Sequence, residues 1–285
     1  MNKKWVRILI ILALMLVIAV PVAAITFGEQ DNGEHPYVGL IGFYDADWNW
    51  MWRCSGTLLA PNLVLTAGHC TAYDEEYGTP AHARVWFDEV IIYDPDLDDY
   101  TNPVFYDGLP VPHPGYVGLN IPETHDIGVV VLDKDVEGID EFGQLPAIGL
   151  MDDVGTKSDK RWVIVTSVGY GVNDMHPEQI SLRTRYQAQS FLINLNNPTT
   201  DGWNIMSSNN PGQWAGSEDL TTGGTCFGDS GGPVFLGGPE SDLVVGITSF
   251  GNSACAGADY SYRIDIQDSK DFLADIIEEY GIELP

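Results

Sequence analysis

A chain of 285 residues, 44% of them apolar, can bury one large core or two smaller ones, which excludes an intrinsically disordered protein. Its 41 acidic residues against 13 basic ones give a formal net charge of −28, a surface that repels nucleic-acid phosphates and anionic lipid and so argues against both as partners. The acidity suits a soluble, self-repelling exported protein.

The first segment reads as a targeting signal. Lys3, Lys4 and Arg7 precede an apolar run from Ile8 to Val20, and Val22-Ala23-Ala24 offers small residues at a cleavage position. The run is short for a hydrocarbon core of about 30 Å and Pro21 interrupts it, so a cleaved signal peptide over 1–24 is expected rather than an anchor. Secretion to an extracellular or periplasmic space follows, with no stable membrane association of residues 25–285. In an oxidising compartment the four cysteines, Cys54, Cys70, Cys226 and Cys255, read as disulfides. Of the three connectivities, local pairing of Cys54 with Cys70 and of Cys226 with Cys255 is the simplest. No C-x2-C spacing supports a zinc site.

Beyond Ile25 the texture is that of short strands. Tyr37 to Phe43, Met51 to Leu59 and Leu63 to Thr66 read as three, the last two split by Pro61-Asn62. Arg84 to Tyr93 is a further β-rich run, Asp94 to Gly108 an acidic loop, and Ile127 to Leu132 a solidly apolar strand. In the second half, Trp162 to Val168, the alternating Ser181 to Leu195, Val234 to Leu236, Leu243 to Thr248 and Tyr260 to Ile266 read as strands. Only Ser269 to Tyr280 looks helical, with Phe272, Leu273, Ile276, Ile277 and Tyr280 on one face, Asp268 or Ser269 to cap its start and Gly281 to end it. Many strands with Gly/Pro turns and one terminal helix predict an all-β barrel or sandwich.

One window stands apart, Thr225-Cys226-Phe227-Gly228-Asp229-Ser230-Gly231-Gly232-Pro233. Glycine costs backbone entropy on folding, so several glycines around one hydroxyl need a reason. A Gly-rich turn is one. The other is a nucleophilic serine, exposed and flanked by backbone N–H groups that can hold an oxyanion. The window also fits G-x-S-x-G, the nucleophile elbow of the α/β-hydrolases, whose histidine follows the serine. Here the last histidine is His176, so the base lies upstream, among His35, His69, His82, His113, His125 and His176. His69 closes an apolar strand beside Cys70, whose disulfide would fix its backbone. Asp126 stands at the mouth of the apolar strand after it, where a carboxylate is desolvated unless a partner such as an imidazole N–H holds it. His113 and His125 read as surface or structural.

Thr66-Ala67-Gly68-His69-Cys70, Asp126-Ile127-Gly128-Val129-Val130 and Gly228-Asp229-Ser230-Gly231-Gly232-Pro233 resemble, in that order, the three signature blocks of the chymotrypsin/trypsin-like serine proteases. Gly169-Tyr170-Gly171 and Ser249-Phe250-Gly251 resemble two further landmarks, and the likeness spans nearly all of Ile25 to the terminal helix. It implies two six-stranded antiparallel β-barrels with a C-terminal α-helix, the first over about 25–145 and the second, with the helix, over about 146–285. It implies a Ser-His-Asp triad of Ser230, His69 and Asp126 working through an acyl-enzyme, with Gly228 and Ser230 as the oxyanion hole. The backbone of Ser249, Phe250 and Gly251 would pair with substrate. Ile25-Thr26-Phe27-Gly28 resembles the family's mature start, so signal cleavage itself would free the Ile25 amine to latch onto Asp229.

In members that cut after Arg or Lys, an Asp lies six residues before the serine. Here that position is Gly224, next to Thr225, and a neutral P1 side chain is expected, with Asp259 keeping a basic one open. Expected partners are protein or peptide substrates of a monomeric enzyme. No cofactor is expected. Calcium is a secondary reading of the carboxylates at Asp94, Asp96, Asp98 and Asp99 and at Asp74-Glu75-Glu76, which lack a recognisable ligand pattern. The alternatives are a catalytically silent binding protein, which an intact triad disfavours, and a secreted esterase using the same triad.

Overall fold

The computed structural model describes residues 25–97, 99–155, 163–173, 175, 179–210 and 222–285; the expected signal peptide, His176 and Asp98 lie outside the described residues. Six strands close the first barrel in the order β2-β3-β4-β9-β8-β5. They are β2 (Val38–Tyr44), β3 (Trp50–Ala60), β4 (Leu63–Thr66), β5 (His82–Trp86), β8 (Tyr106–Pro112) and β9 (Gly128–Leu132). Between β5 and β8, β6 (Tyr93–Asp94) and β7 (Asp99–Tyr100) form a small hairpin where a plain loop was expected. The register of β4 on β9 runs from Leu63 opposite Val131 to Thr66 opposite Gly128. The chain leaving β4 and the chain entering β9 therefore emerge at the same end of the barrel. That end holds both His69, on the one-turn helix α1 (Gly68–Thr71), and Asp126.

The second barrel is built from β10 (Ile164–Gly169), β11 (Tyr186–Asn194), β12 (Asn204–Asn209), β13 (Pro233–Leu236), β14 (Val244–Gly251) and β15 (Gly257–Arg263). Its order is β11-β10-β13-β14-β15-β12, and pairing of β12 with β11 closes the ring. The N-terminal segment crosses to this barrel: β1 (Glu29–Gln30) pairs with the edge of β11, and Thr26 bridges to Gly224. Ser55 of β3 joins the two barrels at the cleft. Its N–H donates to the Ser230 carbonyl at 2.8 Å, its hydroxyl donates to the Gly228 carbonyl at 2.9 Å, and it accepts the Tyr170 N–H at 3.0 Å.

A short helix, α2 (Leu150–Gly155), lies between the barrels in sequence, and α3 (Gln267–Tyr280) ends the chain. Phe272, Leu273 and Ile276 of α3 are buried in the core cluster that runs through both barrels, each contributing roughly 1.5–3 kcal/mol. Gly281 terminates α3 in the left-handed conformation, as expected. The expected N-cap does not form. The Asp268 carboxylate instead accepts the Tyr262 hydroxyl and the His125 ring, and the Ser269 hydroxyl donates to the Arg263 carbonyl, so both side chains serve tertiary contacts and the helix begins two residues early. Disulfides join Cys54 to Cys70 and Cys226 to Cys255. The first ties β3 to the helix carrying His69; the second ties the Ser230 loop to the segment entering β15.

Candidate active site

His69 and Asp126 meet at the mouth of the first barrel. The Nδ1 of His69 lies 2.9 Å and 3.1 Å from the two oxygens of Asp126, and the His69 backbone N–H donates to the same carboxylate at 2.7 Å. The Ser249 hydroxyl, from β14, closes the set by donating to Asp126 Oδ2. Burial alone would raise the pKa of Asp126, but the imidazole, the Ser249 hydroxyl and the His69 N–H outweigh it, and the carboxyl sits below its ordinary range. Burial opposes the imidazolium of His69 in turn; the Asp126 charge and hydrogen bond overcome this and hold its pKa above the ordinary histidine value. With Nδ1 facing the carboxylate, the other ring nitrogen is the one left to exchange protons with a substrate.

Ser230 faces His69 across a cleft that both residues line with Gly228, Trp52 and Arg53. Gly228 sits at φ 96°, a conformation that a side chain disfavours. The loop uses its amides selectively. The N–H groups of Asp229, Gly231 and Gly232 donate to the carbonyls of Cys226, Thr248 and Asp229 at 3.0, 2.8 and 2.8 Å. Those of Gly228 and Ser230 are engaged by no acceptor among the described residues, the arrangement an oxyanion requires.

Behind the loop, Asp229 is 1% exposed. Its carboxylate accepts the Gly171 N–H at 2.7 Å and the Cys226 N–H at 2.9 Å. Burial nevertheless pushes its pKa up to about 7, against those two bonds and the nearby Arg53 guanidinium. Ile25 is fully buried among Tyr186 and Ala188. Its neighbour Thr26 pairs with Gly224, five residues before Asp229 along the same loop.

A sequence model of the trypsin family matches residues 25–273. The chain belongs to the trypsin family. It is 28% identical to "Lectizyme" of Glossina austeni over 80% of this chain and 76% of that protein, and 26% identical to Kallikrein-12 of Homo sapiens over 82% of each. In fold it is similar to a solved structure described as HL collagenase, with a TM-score of 0.61 and 18% identity over 91% of this chain and all of that one. A second, described as GrC, gives 0.58 and 16% over 89% and 98%. As a member of the trypsin family the protein is a serine endopeptidase, a hydrolase of peptide bonds.

A pocket opens beside Ser230. Thr225, Ser249, Phe250 and Gly251 line it, together with both ends of the Cys226–Cys255 disulfide, and Asp259 of β15 stands in its floor. Gly224 lies behind this floor, and the space over its Cα is filled by Asn209, a buried residue of β12. Sequence reasoning missed Asn209, the contact of Ser249 with Asp126, and Arg53, whose guanidinium donates to the Tyr170 carbonyl and the Ser181 hydroxyl beside Gly228.

The acidic stretches turn their carboxylates onto local donors. Asp74 accepts the N–H groups of Glu76 and Tyr77, Asp94 that of Asp96, and Asp99 the Tyr44 hydroxyl and the Tyr100 N–H. Among the described residues these carboxylates do not gather into a three-ligand group. His113 and His125 stack at 5.0 Å and share Asp268. The Nδ1 of His113 accepts the Gly115 N–H, which leaves the proton on its Nε2 and fits a neutral structural ring better than a metal ligand.

Proposed function

We propose that the protein is a secreted, monomeric serine endopeptidase whose triad is Ser230, His69 and Asp126. The observation that carries this reading is the pair of contacts from His69 to Asp126, made on the far side of the imidazole from a cleft that His69 and Ser230 line together. Ser230 Oγ attacks the peptide carbonyl while His69 Nε2 takes its proton; the carbonyl oxygen, now negative, moves onto the N–H groups of Gly228 and Ser230. His69 then gives the proton to the leaving amine, and a water enters to release the acyl group by the same steps in reverse order of roles. Asp126 fixes the tautomer and balances the imidazolium. The backbone of Ser249, Phe250 and Gly251, at the end of β14, offers the substrate an added strand. No step of this chemistry calls on a group beyond the protein and water.

The latch belongs to the same reading. Signal cleavage after Ala24 exposes the Ile25 amine, and a cation is what the buried Asp229 carboxylate lacks. A fluorophosphonate probe tests the nucleophile: labelling is expected in the protein and absent from Ser230→Ala. Casein cleavage separates a protease from a pure esterase, and a labelled protein that hydrolyses esters and no peptide bond would overturn the peptidase reading. N-terminal sequencing of active, secreted protein is expected to begin at Ile25.

A further inference from the structure

Between the Ser230 loop and β15 lies a pocket of about 240 Å³ whose floor carries one ionisable group. Asp259 is 4% exposed. Its carboxylate is held by neutral donors alone: Oδ2 accepts the Thr225 N–H at 2.6 Å, Oδ1 accepts the Asn209 Nδ2 at 2.8 Å, and the Thr225 hydroxyl adds a third. A carboxylate offers about four acceptor positions, so these donors leave acceptor capacity unused. Among the described residues no cation pairs with Asp259. A buried carboxylate held only by neutral donors, facing a side-chain-sized pocket, is a site for a cationic ligand.

The architecture also shows why the acid stands here and not at Gly224. A Cβ on Gly224 would lie 2.2 Å from Asn209 Cγ and 2.5 Å from its Nδ2 and Oδ1. Asn209 cannot swing aside, because its amide donates to the Thr225 carbonyl at 3.0 Å as well as to Asp259, and its Oδ1 is met by the Thr26 hydroxyl at 3.3 Å. The carboxamide thus fills the place of a side chain at 224 and aims the charge from β15 in its stead. On the opposite wall Gly251 leaves the approach clear: even an added Cβ there would stand 3.5 Å from Asp259 Oδ1.

We propose that Asp259, positioned by Asn209, selects the P1 side chain, and that its carboxylate takes the cationic head of a lysine or arginine. The proposal rests on the serine-protease reading above and takes the basic branch that Gly224 alone had disfavoured. The groups around Asp259 determine how pH acts on it. β12 presents Asn209, β14 presents Gly251, the Ser230 loop presents Thr225, and residues 252–256 carry no charge; among the described residues the neighbouring carboxyl is Asp229, behind the loop, which feels the Asp259 charge. Burial raises the Asp259 pKa to about 6, so acid neutralises the floor within a range where the fold can still be measured.

The test measures kcat/KM on peptide substrates that differ only at P1, with Lys, Arg, Phe and Leu. At pH 8 the Lys or Arg substrate is expected to exceed Phe and Leu by tenfold or more. The Lys-to-Phe ratio is expected to fall as pH drops through about 6; ionisation of His69 is common to both substrates and cancels in the ratio. In Asp259→Asn the ratio is expected to drop at least a hundredfold and to lose its pH dependence, with thermal melting as the check on folding. Should that variant not fold, inhibition of the unaltered protein decides: benzamidinium and butylammonium are expected to bind at least tenfold more tightly than uncharged isosteres. An enzyme labelled by fluorophosphonate that prefers Phe or Leu at pH 8, and is inhibited no better by the cations, overturns the Asp259 assignment alone. A protein neither labelled nor active on any substrate overturns the protease reading and this assignment with it.

Discussion

On the first-barrel side of the cleft Asp126 is fully buried and closed by partners of its own chain: the His69 imidazole, the His69 N–H and the Ser249 hydroxyl. On the second-barrel side Asp229 and Asp259 are nearly as buried, yet each receives only neutral donors. The consequence is opposite in sign. The carboxyl of Asp126 lies below its ordinary range, whereas burial lifts Asp229 to about 7 and Asp259 to about 6. Equal burial thus gives a finished site in one barrel and two unfinished ones in the other, because a buried charge is tolerated only when something of opposite charge or matching hydrogen bonds meets it. The first barrel holds a permanently paired carboxylate and imidazole, the proposed catalytic pair. The second holds two buried carboxylates without a cationic partner among the described residues, whose proposed partners are the Ile25 amine and the substrate's P1 side chain.

The comparison breaks most sharply at Asp126. In Asp126→Asn the imidazole loses its carboxylate and its tautomer, and kcat is expected to fall about 10⁴-fold, the loss that the same change causes in a Ser-His-Asp template. The acid limb of kcat/KM in the unaltered protein is expected above the ordinary histidine pKa of 6.5, because Asp126 holds His69 up. A limb at or below 6.5 would show that the pair is not coupled as drawn. Since the folded pKa of Asp126 is depressed, its contribution to stability is present above the ordinary value of 3.8 and is lost as pH falls through the folded one.

Asp229 gives the next largest effect and the reverse slope. A chain kept one residue longer, with Ala24 still attached, is expected to lose about 10²–10³ in kcat/KM, since an unsupported loop cannot present the Gly228 and Ser230 N–H groups. In that chain the folded pKa of about 7 exceeds the ordinary 3.8, so the folded state holds a proton that the unfolded state has released. Its stability from this group is full below about 3.8 and declines as pH rises through about 7. With Ile25 first, the new ammonium lowers the Asp229 pKa and the slope inverts. Melting temperatures of the two forms between pH 4 and 7 check this, and parallel slopes would remove the latch.

Ser249→Ala removes the hydroxyl that Asp126 receives from the second barrel. A hydrogen bond to a charged group is worth about 1.5–3 kcal/mol, so a ten- to hundredfold loss in kcat is expected. It should fall equally on substrates with basic and apolar P1 residues, whereas Asp259→Asn should discriminate between them.

The parts of this site that were legible in the sequence are those whose chemistry dictates residue type. His69, Asp126 and Ser230 stand in blocks that resemble the family's three signatures, and β9 is apolar enough to be read directly. β8 was not read because Gly108, Pro110 and Pro112 interrupt it. β12 was missed for a more instructive reason. Asn204, Ser207, Ser208 and Asn209 are buried polar residues, and a strand that carries the pocket's hydrogen bonds does not show the apolar pattern of a core strand. For Asp259 the sequence left open whether the side chain enters the pocket. A strand's phase is fixed by its neighbours, here Ser207 on β12 and Gly251 on β14, and that pairing joins residues far apart in the chain.

The smallest effect sharpens the comparison furthest, because one residue follows Ile25 in the chain and touches the Asn209 that holds Asp259. Thr26 follows Ile25, pairs with Gly224 through its backbone, and brings its hydroxyl within reach of Asn209 Oδ1 at 3.3 Å and of the Gly224 carbonyl at 3.1 Å. Thr26→Val keeps the shape and removes the hydroxyl. One neutral hydrogen bond is worth about 1 kcal/mol, which amounts to roughly fivefold in an equilibrium and about 2–4 °C in melting temperature for a chain of this size. If Thr26 only seats the Ile25 amine, substrates with Lys and with Phe at P1 should lose activity together through kcat. If it also steadies Asn209, and through it Asp259, KM for the Lys substrate should rise severalfold while KM for the Phe substrate stays put. The second outcome is expected, since the hydroxyl points at the amide that aims the carboxylate. It would mean that docking of the N-terminus completes the oxyanion loop and the P1 pocket in one event.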